Sequence, residues 1–142
     1  MPTTSDCLMF VYGTLRKDVR GQALSPLCRD WVFRGYGSVL GALYDFGAYP
    51  GAVPSQPPGA RIRGEVYELA DPATMLPPID QYEGCGEGDP LPHEFEREMV
   101  EVDLDDGGLV QAWIYWYQPT PNGRRLESGD YVQRVAARPP GE

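Results

Sequence analysis

The sequence predicts a turn-rich, β-containing domain with one well-marked helical segment, and two observations carry that prediction. The 17 glycines and 15 prolines are scattered without a period among nine tyrosines and three tryptophans, which means many turns and much aromatic core volume. Between the turns run short stretches of β-favouring residues, whereas a clear helical spacing of apolar residues appears between Asp71 and Glu83. A chain of 142 residues is expected to form one domain over 1–142 with a real core, and residues 136–142 read as a disordered tail.

The first element is an unbroken apolar run, Leu8–Tyr12, read as a buried strand that Gly13 ends. A glycine there permits a sharp turn or a close backbone approach. The amides of Gly13, Thr14 and Leu15 are then able to converge on an anion, although by local signals alone this is simply a strand ending in a turn. Arg16–Gly21 is read as a loop, and Gln22–Arg29 as a short helix with Pro26 in its first turn. Trp31–Tyr36 and Val39–Tyr44 are read as two strands separated by Gly37-Ser38. Asp45–Gly51 is rich in turn formers and aromatics, and Pro54–Gly59 is the strongest loop signal in the chain.

Arg61–Leu69 is the next strand. Asp71-Pro72 starts a helix, with an N-cap acceptor followed by proline at the first helical position. Met75, Leu76, Ile79 and Tyr82 recur at helical spacing and should face a core. Pro77-Pro78 interrupts a regular helix, so the segment is expected as two short turns, the second ending at Glu83-Gly84. Cys85–Pro92 is a glycine- and proline-rich loop.

Phe95–Leu104 alternates as a strand, but its apolar phase slips between Met99 and Val100, which predicts a β-bulge there. Asp105–Gly108 is a hairpin turn, and Leu109–Gln118 returns antiparallel. That last strand is apolar on both faces, Val110, Ala112, Ile114 and Trp116 on one and Trp113, Tyr115 and Tyr117 on the other. It should therefore be central or line a cavity.

A net charge of −9 argues against nucleic acid or an anionic membrane as partner, but not against a small anion in a local pocket. Cys7, Cys28 and Cys85 are odd in number and widely spaced, without a C-x-x-C, so idle thiols in a reducing cytosol are expected rather than a metal site or disulfides. A thiol enzyme built on Cys28 or Cys85 finds no partner in the sequence. His93, the single histidine, has no nucleophile pattern near it. The polar N-terminus and the short apolar run after it fit neither a signal peptide nor a membrane span.

Seven stretches in register resemble the γ-glutamyl cyclotransferase-like family, which includes plant avirulence-induced-type proteins and γ-glutamylamine cyclotransferase. They are Phe10–Leu15, Leu43-Tyr44-Asp45 through Tyr49-Pro50, Gly64–Leu69, Ile79–Gly84, Phe95-x-Arg97 with Val100-x-Val102, Ala112-Trp113-x-Tyr115, and Ser128–Tyr131. The resemblance implies an α+β fold, a mixed and mostly antiparallel sheet curled into a small barrel with short flanking helices. It implies a cavity at one barrel end, walled by the Tyr12–Leu15 loop and the glutamate of the Ile79–Gly84 stretch. Pro77-Pro78 and the long Cys85–His93 loop depart from the pattern and bear on the shape of the mouth.

The reaction implied is intramolecular: the α-amine of a γ-glutamyl group attacks its own γ-carbonyl, releasing 5-oxoproline and a free amine. No cofactor or metal is called for, and the protein's task is to fold the substrate and move protons. Glu83 takes the catalytic role in the resemblance, with a pKa expected to rise at a helix end and beside Tyr82. Tyr12, Gly13, Thr14, Leu15 and Tyr115 are the implied substrate-binding residues. The amides hold either the substrate carboxylate or the oxyanion, and Tyr115 is equally readable as a core aromatic. Arg97 is expected in a structural ion pair, and Glu87 and Glu94 are expected to be tolerant loop residues. The implied partner is a small γ-glutamyl compound in the cytoplasm, with the leaving amine and the oligomeric state open. The competing function is a non-catalytic small-molecule-binding or stress-response domain of the same fold.

Overall fold

The computed structural model describes residues 7–13, 31–46, 49–55, 59–86, 88–89, 91–119, 124–126 and 129–131. Thr14, Leu15, the Gln22–Arg29 segment, Cys28, Glu87, Ser128 and the 136–142 tail lie outside them. In chain order the elements are β1 (Leu8–Val11), β2 (Val32–Asp45), β3 (Pro50–Pro54), β4 (Arg61–Glu68), α1 (Pro72–Glu83), β5 (Phe95–Leu104), β6 (Leu109–Tyr117) and β7 (Arg124–Leu126).

The strands form one sheet in the order β3-β2-β4-β1-β6-β5, and a further pairing of β2 with β5 closes it into a barrel. β1 and β6 are parallel, and every other pairing is antiparallel. The fold is therefore the mixed, mostly antiparallel barrel with a flanking helix that the resemblance implies. β6 lies between β1 and β5, a central place that explains why both its faces are apolar.

Two cores result. Phe10, Val39, Ile62, Val66, Val102, Ala112 and Ile114 fill the barrel interior. Met9, Val11, Tyr67, Phe95 and Tyr115, on the opposite faces of the same strands, pack with Leu76 and Ile79 of α1. A strand that serves both cores has no single apolar face, and this accounts for β5. Its register with β6 runs without interruption from Phe95↔Tyr117 to Asp103↔Leu109, so the bulge expected at Met99-Val100 is absent. The apolar phase slips because Phe95 packs under α1 whereas Val102 points into the barrel. The bulge of this sheet lies instead between Phe33 and Gly35, where β2 shifts against β4.

Gly37-Ser38 does not separate two strands; β2 runs through it for 14 residues. These two residues are the barrel seam, pairing with Leu104 and Asp103. A Cβ on Gly37 would meet the Asp103 carbonyl oxygen and the Val102 side chain, both at 2.8 Å. Glycine is there because two backbones come close, not because the strand ends. On the outside of the seam Arg61 donates to Ser38 Oγ at 2.9 Å and pairs with Asp103. β3 was also not foreseen: Pro50–Pro54 pairs with the second half of β2 despite its turn-forming sequence. An edge strand tolerates prolines because one side of its backbone needs no partner.

α1 is one helix, not two turns, with Pro77 and Pro78 inside it. Both prolines are exposed, as are Ala73 and Thr74, whose carbonyls lose their helical partners, so water can take the freed acceptors. Leu76 and Ile79 hold the helix down on either side of the break. Gly84 ends it in the left-handed conformation (φ 81°), and the Cys85 amide donates to Asp80 O at 2.9 Å. Tyr82 does not join Leu76 and Ile79 in the core: it is 43% exposed.

Candidate active site

The end of β1, the C-terminal end of α1, the start of β5 and the end of β6 surround a cavity of about 280 Å³. Gly13, Pro50, Glu83, Glu94, Phe95 and Tyr115 are among its lining residues, together with the Phe10–Tyr12 stretch. Gly13 is buried against Pro50, and a Cβ there would meet Pro50 Cγ at 2.5 Å. The glycine thus lets the end of β1 lie against β3 and present its backbone to the cavity. Of the three amides expected to converge, Gly13 lies on the cavity wall, and those of Thr14 and Leu15 lie outside the described residues.

Glu83 enters this cavity from the last residue of α1. Its pKa is pushed up from 4.5 to about 8, chiefly by burial, then by the charges of Glu94 and Asp80. The residue keeps some contact with solvent through the cavity, but the surrounding protein replaces most of the water that would stabilise its charge. Tyr82 lines the same cavity, although it is 43% exposed.

Tyr12 faces the barrel interior. Its phenol donates to Tyr115 O at 2.6 Å. Burial, and then the charge of Glu83, raise its pKa well above the tyrosine range, so it stays a neutral wall of the site. Tyr115 lines the cavity with its ring, but its hydroxyl is committed to Asp80 Oδ1 at 2.6 Å. Burial and that bond hold the phenol well above its usual pKa.

Asp80 is the centre of a network that sequence reading located only in part. Arg97 grips it with two bonds, Nε to Oδ1 at 2.7 Å and a terminal nitrogen to Oδ2 at 3.1 Å. The guanidinium also stacks over the Trp113 ring at 4.3 Å. Asp80 stands one turn before Glu83, so this clamp fixes the helix end that carries the candidate catalytic carboxylate. The side chains of the pair are 24% and 16% exposed, which places it well inside the protein surface. Arg97→Met, which keeps the stem and removes the charge, is expected to cost about 2–3 kcal/mol and to lower the melting temperature by about 5–10 °C. An unchanged melting curve would show that the clamp carries no stability.

Glu94 is the residue sequence reading misplaced. Rather than standing free in the loop, it lines the cavity, and its Oε2 accepts a bond from Tyr49 OH at 2.6 Å. That bond, with burial and the carboxylate charge behind it, pushes Tyr49 up to about 12. No local signal marks Glu94, because its partner lies 45 positions away. His93, beside it, is engaged by Glu96 at 2.8 Å. Cys85 is a poor candidate nucleophile, since burial and the surrounding carboxylates push its thiol up to about 12.

The profile of the family described as Gamma-glutamyl cyclotransferase, AIG2-like, matches residues 9–133. The chain belongs to that family. A gamma-glutamylcyclotransferase family protein of Escherichia coli, YtfP, is 32% identical over 130 residues, spanning 89% of this chain and 96% of its own length. A Vibrio cholerae protein that bears the gamma-glutamylcyclotransferase name is 36% identical over 137 residues, spanning 90% of this chain and 97% of its own. The fold is similar to that of a solved protein from Pyrococcus horikoshii, with a TM-score of 0.64 at 27% identity over 92% of this chain and 94% of the other. It is also similar to an AIG2-like protein from Mus musculus, with a TM-score of 0.60 at 25% identity over 82% and 80% of the two chains. At the level of the family, the activity is gamma-glutamyl cyclotransfer.

Proposed function

We propose that this AIG2-like protein releases 5-oxoproline and a free amine from a small γ-glutamyl compound, with Glu83 moving the protons. The observation that carries the reading is the Glu83 carboxylate in a cavity it shares with Gly13, Glu94 and four tyrosines, Tyr12, Tyr49, Tyr82 and Tyr115. The substrate's α-amine arrives as an ammonium ion. Glu83 in its ionised form takes one proton, the freed nitrogen attacks the γ-carbonyl, and a five-membered ring closes. The bond from that carbonyl carbon to the leaving nitrogen breaks as Glu83 passes its proton to that nitrogen, and Glu83 then takes the second proton from the ring nitrogen and hands it to the freed amine, which departs as an ammonium ion. Bonds and protons balance without any further reactant. The substrate supplies the proximity of amine and carbonyl, and the cavity selects the bent conformer that brings them together. In this reading the amide of Gly13, a residue of the cavity lining, holds an anionic part of the substrate.

A base with a pKa near 8 is suited to this task, because it binds a proton well yet gives it up readily near neutral pH. The sign of the pH dependence follows. Below about 8 Glu83 is mainly protonated and cannot take the ammonium proton, so kcat/KM is expected to rise with pH and to level off above that value. Incubation of the protein with a panel of γ-glutamyl amides, following 5-oxoproline across the pH range, tests both points. A protein that binds such compounds without releasing 5-oxoproline is instead a binding domain of the same fold. A rate that is flat between pH values of about 6 and 9 would remove Glu83 as the base.

A further inference from the structure

The cavity lining divides by depth. Phe10, Gly13, Phe95 and Tyr115 are buried, whereas Tyr82 and Glu94 are exposed. Under the cyclotransferase reading, on which this inference rests, the γ-glutamyl group lies deep beside Gly13 and Glu83. The group attached to the leaving nitrogen must then lie at the rim, against Glu94 and Tyr82.

The rim has a definite chemistry. Glu94 is tied to the wall by the Tyr49 hydroxyl at 2.6 Å rather than loose in solvent. Its charge reaches Glu83, so both carboxylates act on the same space. Tyr82 offers an exposed aromatic ring at the same opening. The described lining residues include two carboxylates and no lysine, arginine or histidine. We propose that Glu94, held by Tyr49 beside the Tyr82 ring, selects γ-glutamyl substrates whose leaving amine carries a second positive charge, such as conjugates of diamines. A cation there gains a charge-assisted bond to Glu94 and the face of an aromatic ring. An anionic leaving group meets like charge, and a neutral one gains neither.

The test compares three substrates of matched length, the γ-glutamyl amides of putrescine, pentylamine and 5-aminovalerate. Their tails end in a cation, a methyl group and a carboxylate. The expected order of kcat/KM is cation above neutral above anion, with a cation-to-neutral ratio of about tenfold that shrinks as ionic strength rises. Glu94→Gln is expected to bring that ratio close to one. If Glu94 acted only by tuning the proton affinity of Glu83, all three substrates would change together and the ratio would stay as it was. An unchanged ratio in Glu94→Gln, or no preference for the cation in the parent protein, overturns the proposal. If none of the three is turned over, the cyclotransferase reading is what has failed for these amides. The charge selection is then read by calorimetric binding of the same compounds to the parent and to Glu94→Gln, where equal affinities for the cationic and neutral amides in the parent overturn it.

Discussion

Glu83→Gln is expected to lower kcat for 5-oxoproline release to the far end of the ~10²–10⁴-fold range typical for loss of a general base. The far end is expected because one carboxylate serves both proton transfers, from the attacking amine and to the leaving one. Glutamine keeps the size of the side chain and much of its hydrogen-bonding capacity, so the fold and substrate binding should survive. The same variant has a second signature of opposite sign. In the unfolded chain Glu83 ionises near 4.5, and in the folded protein near 8. Between those values the folded state holds a proton that the unfolded state has released, so stability falls as pH rises through this window and then levels off. Glutamine carries no charge to desolvate. Glu83→Gln is therefore expected to be more stable than the parent at a pH of about 9, by about 3–5 kcal/mol, and close to it at a pH of about 4. Denaturant midpoints of the two proteins at both pH values check this. Near-normal turnover by the variant, or no stability difference at alkaline pH, would place the Glu83 carboxylate in ordinary solvent and end its candidacy.

Gly129→Ala is expected to be the most damaging single-methyl change away from the cavity. Gly129 sits at φ 67°, in the left-handed region, and a Cβ there would lie 2.1 Å from the Arg61 carbonyl oxygen. That contact is with main chain inside β4, so no side-chain rotation relieves it. The carbonyl of Gly129 accepts the Arg63 amide at 2.8 Å, past the point where β1 stops pairing with β4. Two residues on, Tyr131 is buried in the barrel interior. Moving Gly129 aside therefore strips a bond from β4 and draws a core tyrosine out of place. The left-handed backbone costs an alanine roughly 1–2 kcal/mol and the overpacking roughly 1–3 kcal/mol more. Together they remove a large part of the about 5–15 kcal/mol that holds a typical domain. Expression in soluble form together with the melting temperature measures it, and a variant that melts with the parent would mean the 129–131 segment is not anchored to β4.

The two expectations show where local sequence is informative. The Asp105–Gly108 turn and the β5–β6 pairing were legible because a hairpin is closed by residues adjacent in the chain. The helix start at Asp71-Pro72 and its end at Gly84 were legible for the same reason, since helix-end signals act within a turn, although the Asp71 carboxylate accepts from Thr74 Oγ1 at 2.7 Å and not from a helix amide. The placement of Glu83 at a helix end follows from that local grammar, and its family register marks it as the candidate catalytic residue. Errors arose where an apparently local signal had a distant cause. Gly37-Ser38 reads as a break, and the Met99-Val100 phase slip reads as a bulge. The first is the seam with β5, and the second is a change of core, from the layer under α1 to the barrel interior.

By itself the sequence determined the family, the strand and helix segments that carry its motifs, the central position of β6, and the choice of Glu83 over the cysteines and the lone histidine. The segments and the place of β6 follow from periodicity and short-range turn chemistry, whereas the family and the choice of Glu83 follow from the resemblance of seven stretches in register. Only the tertiary structure decided what surrounds that glutamate. It set Asp80 between Arg97 and Tyr115, turned Tyr82 out to the rim, and tied Glu94 to Tyr49 across the opening. Proton affinity depends on burial and on charges within a few ångströms, whatever their separation along the chain. Barrel closure brings residues 17, 35 and 45 positions apart to that range, and no pattern within any one segment records it.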